Sequence, residues 1–187
     1  MQKNYALILI TISLYSTLSF SATFTSVVTG SWTTPATWGA ASAPTSADDA
    51  IISAGTNVTV PTVGSGITNV TINPGGTLTL TGYLQVFGTL NNMLGSPGGI
   101  LAGTNTLVFT GAGTKITSGG AGTATWPHSG RFYFTAAQTI DASVTITNKT
   151  GEFVLYNTVP GVAVTNNGNI TLNANFLVNN GATACTW

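Results

Sequence analysis

Apolar residues alternate with Thr, Ser or Asn along most of the chain, as in Val58-Thr59-Val60, Val70-Thr71-Ile72, Leu78-Thr79-Leu80, Val144-Thr145-Ile146 and Ile170-Thr171-Leu172. A period of two puts alternate side chains on opposite faces of an extended backbone, so each stretch reads as a short, half-buried strand. Between them lie turn-forming clusters, among them Asn73-Pro74-Gly75-Gly76, Gly95-Ser96-Pro97-Gly98-Gly99, Gly119-Gly120 and Asn166-Asn167-Gly168. Gly and Asn accept the backbone angles of tight turns, and Pro presets one of them. No helical period is sustained beyond residue 21.

Short strands with loose repetition fit a sandwich, a barrel or a parallel β-helix. The turn character and repetition favour an all-β, right-handed parallel β-helix, with coils over residues 50–187. The stretch Asn166 to Gly181 shows the pattern best, with Asn-Asn-Gly corners on either side of apolar strand residues. Residues 22–49 differ, with little alternation and the residues Trp32, Pro35, Trp38, Gly39, Asp48 and Asp49. A solenoid needs its apolar end covered, so this segment is expected to be an N-terminal cap. The chain stops soon after an apparent corner, and the natural polypeptide is expected to continue past Trp187.

Charge narrows the classes of function. Of 187 residues only 4% are charged, four of each sign, with one His and one Cys. Without a basic patch there is nothing to neutralise a phosphate backbone, so no nucleic-acid partner is expected. Residues 1–21 read as a signal peptide: Lys3 leads an apolar stretch from Ala6 to Phe20, followed by small residues, with cleavage expected after Ser21. The uncharged stretch falls short of the roughly 20 residues that span a bilayer, so no membrane span is expected after cleavage. The remaining chain would hold Lys115, Arg131 and Lys149 against Asp48, Asp49, Asp141 and Glu152. Cys185 has no partner for an intrachain disulfide, and no Cys follows the leader to carry a lipid.

The opening Gly30-Ser31-Trp32, Pro35-Ala36-Thr37-Trp38-Gly39, Pro44-Thr45, Asp48-Asp49-Ala50-Ile51-Ile52 and Gly55-Thr56-Asn57-Val58-Thr59-Val60 resembles Bacteroidetes-type secreted and cell-surface β-helix proteins. It is similar to the start of the domain named for its eight glycines, an extracellular β-helix-like module. The resemblance implies a bacterial secreted or cell-surface β-helix at the start of a larger adhesin-like or carbohydrate-active protein, and it implies no catalytic residues.

Candidate sites are few. Asp48-Asp49 is the only acidic pair, but Ca²⁺ takes about six to eight oxygens, and a turn whose carboxylates accept backbone N–H bonds is the favoured reading. Trp126-Pro127-His128-Ser129-Gly130-Arg131-Phe132-Tyr133 gathers aromatic, imidazole and guanidinium groups. Trp126, His128, Arg131 and Tyr133 are the candidate glycan contacts, although aromatic residues in a β-solenoid more often pack the core. A lyase would need a base such as Arg131, Lys115 or Lys149 with a partner. A hydrolase would need Asp141 and Glu152 held roughly 5 to 9.5 Å apart. No nucleophile elbow occurs, since Gly64-Ser65-Gly66 does not match its pattern.

The Thr-x-Thr runs, above all Thr77-Leu78-Thr79-Leu80-Thr81, invite an ice-binding reading. The centres Thr59, Thr71 and Thr79 are spaced 12 and then 8 residues apart, which argues against a flat array. Asn-x-Thr sequons at Asn57, Asn69, Asn148 and Asn169 are expected by chance in a chain so rich in both residues. The leading expectation is an exported, non-enzymatic stalk or adhesive surface without cofactor or metal, with an extracellular glycan or cell-surface ligand and self-association as its partners. A carbohydrate-binding or carbohydrate-active protein and an ice-binding solenoid are the alternatives.

Overall fold

Stacking turns period-two strands into a core, because each inward side chain lands on the inward side chain of the next coil. The computed structural model describes residues 21–156, 164–173, 176–179 and 185–186. Residues 1–20 of the expected leader, residues 157–163 and 174–175, and the second Asn-Asn-Gly corner from Asn180 onward lie outside the described residues. Strands are numbered in chain order. The first sheet holds β1 (Thr23–Thr25), β3 (Asp49–Ile52), β6 (Asn69–Ile72), β9 (Leu90–Asn92), β12 (Gly113–Thr117), β14 (Gln138–Ile140), β17 (Val164–Asn166) and β20 (Cys185–Thr186). The second holds β2 (Gly30–Ser31), β4 (Asn57–Val60), β7 (Thr77–Leu80) and β10 (Ile100–Gly103), and β15 (Thr145–Lys149) with β18 (Asn169–Leu172) take the same place in later coils. The third holds β5 (Ser65–Ile67), β8 (Leu84–Val86), β11 (Leu107–Phe109), β13 (Phe132–Phe134), β16 (Phe153–Tyr156) and β19 (Phe176–Asn179).

The chain visits the three sheets in turn, and neighbouring strands from successive coils pair in parallel. This is the parallel β-helix, a solenoid of about six turns. Ala50 pairs with Val70, which pairs with Leu90, and Ile52 pairs with Ile72, so equivalent positions recur every 20 residues. Val58 with Leu78, Val60 with Leu80, and Ile67 with Val86 form further inward columns, all fully buried. Later coils are longer: Leu90 pairs with Ile116, and Ile116 with Ile140. These longer coils enclose the larger buried rings Phe109, Phe132 and Phe134.

The corners fix the coil path. A Cβ on Gly82 would fall on the Pro61 carbonyl of the coil before it, and one on Gly130 would fall on the Asn105 carbonyl. Only a residue without a side chain permits backbones to approach so closely. Polar side chains tie coil to coil: Asn69 Nδ2 donates to Asp49 Oδ1 at 2.8 Å, and Asn69 Oδ1 accepts the Thr89 N–H at 2.8 Å.

The segment 22–49 already carries β1 and β2, so it forms most of a coil. In place of a third-sheet strand it has a short 3-10 turn, Pro35–Trp38, closed by Gly39 at φ 59°. Trp32 and Trp38 are both buried, cross edge to face at 5.1 Å, and are joined by Trp38 Nε1 donating to Trp32 O at 2.8 Å. Phe24 meets Trp38 in the same way at 6.3 Å. The rings lie against the first inward residues of the stack and form part of its continuous core.

Candidate binding surfaces

The aromatic stretch 126–133 divides among three environments. An isolated parallel bridge pairs Thr125 with Ile100, with Leu101 N donating to Thr125 O at 3.0 Å and Ser129 N to Gly103 O at 2.8 Å. That register sets Trp126 beside Leu101 and His128 beside Gly103, so both side chains point inward and Pro127 points out. Trp126 and His128 are buried, and both meet the Phe132 ring. His128 lies nearly parallel to it, with centroids 5.1 Å apart, and its Nε2 lies 2.6 Å from Asn105 O. This is the core of the fifth coil, in keeping with packing as the favoured reading.

Arg131 sits at the next corner, 60% exposed, where its Nε donates to Glu152 Oε2 at 2.6 Å. Tyr133 is half-buried in β13 and faces outward, between the inward rings of Phe132 and Phe134. The four candidate contacts therefore do not converge on one surface. The groove beside them, about 590 Å³, is lined by Leu94, Trp126, Pro127, Ser143 and Thr145 among others. It opens where the second sheet passes from β10 to the single bridge at Thr125. Trp126 Nε1 is buried without a hydrogen-bond partner among the described residues.

The remaining chemical candidates are also dispersed. Asp141 follows β14 and Glu152 precedes β16, so the whole of β15, roughly 16 Å of strand, lies between them along the chain. Glu152 is engaged by Arg131, and Asp141 Oδ1 accepts the Ser143 N–H at 2.8 Å. Lys115 is buried at a bulge in β12, with Nζ 2.5 Å from Phe87 O, and burial pushes its ammonium below the ordinary lysine range. The side chain of Lys149 lies outside the described set. No three His, Cys, Asp or Glu side chains gather among the described residues. Nor is any described helix long and apolar enough to cross a membrane.

Asp48 is buried in the turn before β3. Its Oδ2 accepts the Thr45 N–H at 2.8 Å and the Thr45 hydroxyl at 2.6 Å, and its Oδ1 accepts the Ala22 N–H at 2.9 Å. Burial works to raise this carboxyl, but the hydrogen bonds from Thr45 and Ala22 outweigh it and hold it below its ordinary value.

The chain matches no family model, no curated protein and no solved structure. Geometry must therefore carry the functional reading.

Among the described residues, the most exposed aromatic groups flank β8, on the outer face of the third sheet. Leu84 and Val86 point inward, which turns Tyr83, Gln85 and Phe87 outward. Tyr83 is 47% and Phe87 41% exposed, and Val63 near them in the preceding coil is 81% exposed. The glycines beneath make room for the rings: a Cβ on Gly64 would meet Tyr83, and one on Gly66 would lie 3.2 Å from Phe87. Tyr83-Leu84-Gln85-Val86-Phe87 is apolar at four of five positions, so composition alone hides its outward face. Counting by twos from the buried Leu84 reveals it.

The Thr arrays also become legible. Thr59 pairs with Thr79 on the second sheet, whereas Thr71 belongs to the first. The spacings of 12 and 8 thus separate faces of one coil, and the repeat on each of these two faces in this region is 20 residues. The outward column Ser31–Thr59–Thr79 then meets Ala102, and Asn57–Thr77 meets Ile100, which ends the hydroxyl array after three coils.

Proposed function

We propose that this chain is an exported, non-catalytic β-solenoid that serves as a stalk or adhesive surface of a cell-surface protein, with the outer face of the third sheet as its contact surface. The observation that carries the reading is the Tyr83 and Phe87 pair, half-exposed on a rigid ladder whose surroundings hold almost no charge. Parallel pairing from coil to coil holds such groups at fixed spacing without disulfide or metal. The opening segment, which resembles secreted bacterial β-helix proteins, supports the same reading.

The test is capture under flow of beads carrying the exported chain, on bacterial cells and on surfaces coated with extracellular polysaccharides. Shear-resistant capture is expected, falling roughly tenfold in Tyr83→Ser/Phe87→Ser, as the loss of about 1.4 kcal/mol would give. Absence of capture on every surface, or turnover of any polysaccharide by the purified chain, would overturn it.

A neutral glycan is the ligand that one further observation favours. Gln85 places an amide between two rings on one strand, and sugars offer C–H faces to aromatic rings and hydroxyls to amides. With rings that offer about 150–250 Å² each, the exposed fractions of Tyr83 and Phe87 amount to roughly 130–220 Å², well short of the ~800 Å² per partner of a stable protein interface. Retardation of the chain in gels containing neutral polysaccharide, but not in gels containing an anionic one, is the expected result.

A further inference from the structure

Among the described residues, the coil-to-coil ladder begins at Ala22. Its C=O accepts the Asp49 N–H at 2.8 Å, its N–H donates to Asp48 Oδ1 at 2.9 Å, and Ser21 before it is exposed. Asp48 is 7% exposed, and its three donors, two from Thr45 and one from Ala22, are all neutral. Arg131 with Glu152 is the one ion pair among the described residues, so Asp48 is a buried carboxylate without a cation there. A buried charge is costly unless a counter-charge or strong hydrogen bonds meet it. The sequence independently places leader cleavage at the bond that precedes this same nitrogen.

We propose that cleavage before Ala22 creates an α-ammonium that Asp48 receives, so that processing completes a buried ion pair and latches β1 onto the turn before β3. A leader-removing peptidase adds water across the Ser21–Ala22 amide. The C–N bond breaks, Ser21 leaves as a carboxylate on the leader, and Ala22 keeps the amine, which takes up a proton. One neutral N–H donor becomes a charged group with three, still in reach of Asp48 Oδ1. Charge-assisted hydrogen bonds are roughly twice as strong as neutral ones. The other carboxylate adjoining the turn is that of Asp49, whose Oδ1 is engaged by Asn69 Nδ2 at 2.8 Å.

The proposal rests on the export reading, and the tests separate the two. The start of the native polypeptide is read by intact mass and terminal peptide mapping of the surface and medium fractions. A start at Ala22 is expected. An exported product with any other start overturns the latch and leaves export standing, whereas a cell-retained product with its leader intact overturns both.

The latch itself is measured on the chain from Ala22 with a free amine, against the same chain acetylated at Ala22, by denaturant unfolding. Acetylation keeps an amide N–H and removes the charge. The free amine should lower the unfolding constant about tenfold at pH 6.5, a factor worth about 1.4 kcal/mol, and Asp48→Asn should abolish the difference. An ammonium whose pKa is raised by pairing contributes fully below the ordinary α-amino range of about 7.7–8.0, so the advantage should fade as pH climbs through the raised value. Equal stability of the free and acetylated chains, or a difference that survives Asp48→Asn, would refute the latch. Should Asp48→Asn not fold, acylation of the Ala22 amine at pH 7 decides. Reaction about tenfold slower than in an Ala-Thr-Phe peptide supports the pair, and an equal rate overturns it.

Discussion

Replacing Lys115 by methionine removes a charge from the interior while keeping most of the aliphatic stem. Lys115 is 2% exposed, its Nζ lies 2.5 Å from Phe87 O, and no carboxylate pairs with it among the described residues. Two effects oppose each other at pH 7. Phe87 O loses its ammonium donor, at a cost of about 1–3 kcal/mol. Relief of a buried charge by a well-packed apolar side chain ranges from neutral to a gain of roughly 1–4 kcal/mol. The variant should therefore lie within about 3 kcal/mol of the parent at neutral pH.

The pH profile is the sharper readout. Burial lowers the folded-state pKa of Lys115, so between that value and the unfolded 10.5 the unfolded chain binds more protons. Stability contributed by this site must therefore rise with pH through that window, by up to about 1.4 kcal/mol per pH unit. At about 2–4 °C per kcal/mol for a chain of this size, the parent minus Lys115→Met difference in Tm should climb as pH approaches 10.5, by no more than about 3–6 °C per pH unit. Taking the difference cancels the tyrosines and cysteine that titrate in both proteins. Calorimetry or circular dichroism melts at half-unit steps would measure it. A difference that stays flat or falls with pH would refute the reasoning, because it would mean that the ammonium is as well solvated inside as in water.

Three further predictions follow from single contacts. Gly82→Ala should destabilise by more than about 3 kcal/mol or prevent folding, since its Cβ would fall on the Pro61 carbonyl; Gly55→Ala, with open space but φ +75°, should cost only about 1–2 kcal/mol, and denaturant titration of both checks the contrast. The Arg131–Glu152 pair is exposed enough that a double-mutant cycle should return about 0.2–1 kcal/mol and shrink in high salt. Asn69→Ala removes both the amide donor to Asp49 and the acceptor of the Thr89 N–H, and should cost roughly 1–3 kcal/mol by equilibrium unfolding, whereas Asn57→Ala, whose side chain accepts only from Thr79 at an exposed site, should cost about 1 kcal/mol or less.

What the sequence determined by itself was the side to which each strand residue points. Val58, Val60, Leu78 and Leu80 are buried because a pleated strand alternates its side chains, and no distant contact is needed to establish that rule. The turn clusters likewise separated the strands locally, since Gly, Asn and Pro act on their own backbone angles. From these two local signals came the all-β class, and their repetition along the chain favoured a stacked solenoid.

The tertiary structure decided which strand shares a sheet with which. Thr59 meets Thr79 and passes over Thr71 because parallel pairing closes a coil of 20 residues, and that register is set by hydrogen bonds between segments far apart in sequence. The same closure turned Trp126 and His128 into core residues and left Arg131 at a corner. Aromatic side chains serve equally well inside or outside a strand, so their chemistry does not reveal their face. Tyr83 and Phe87 became the exposed pair only because the period-two phase is anchored by Leu84 and Val86 stacking on Leu107 and Phe109. The partner of Asp48 was hidden for the same reason: Ala22 lies 26 residues away, and the return of the chain at β3 is what brings them together.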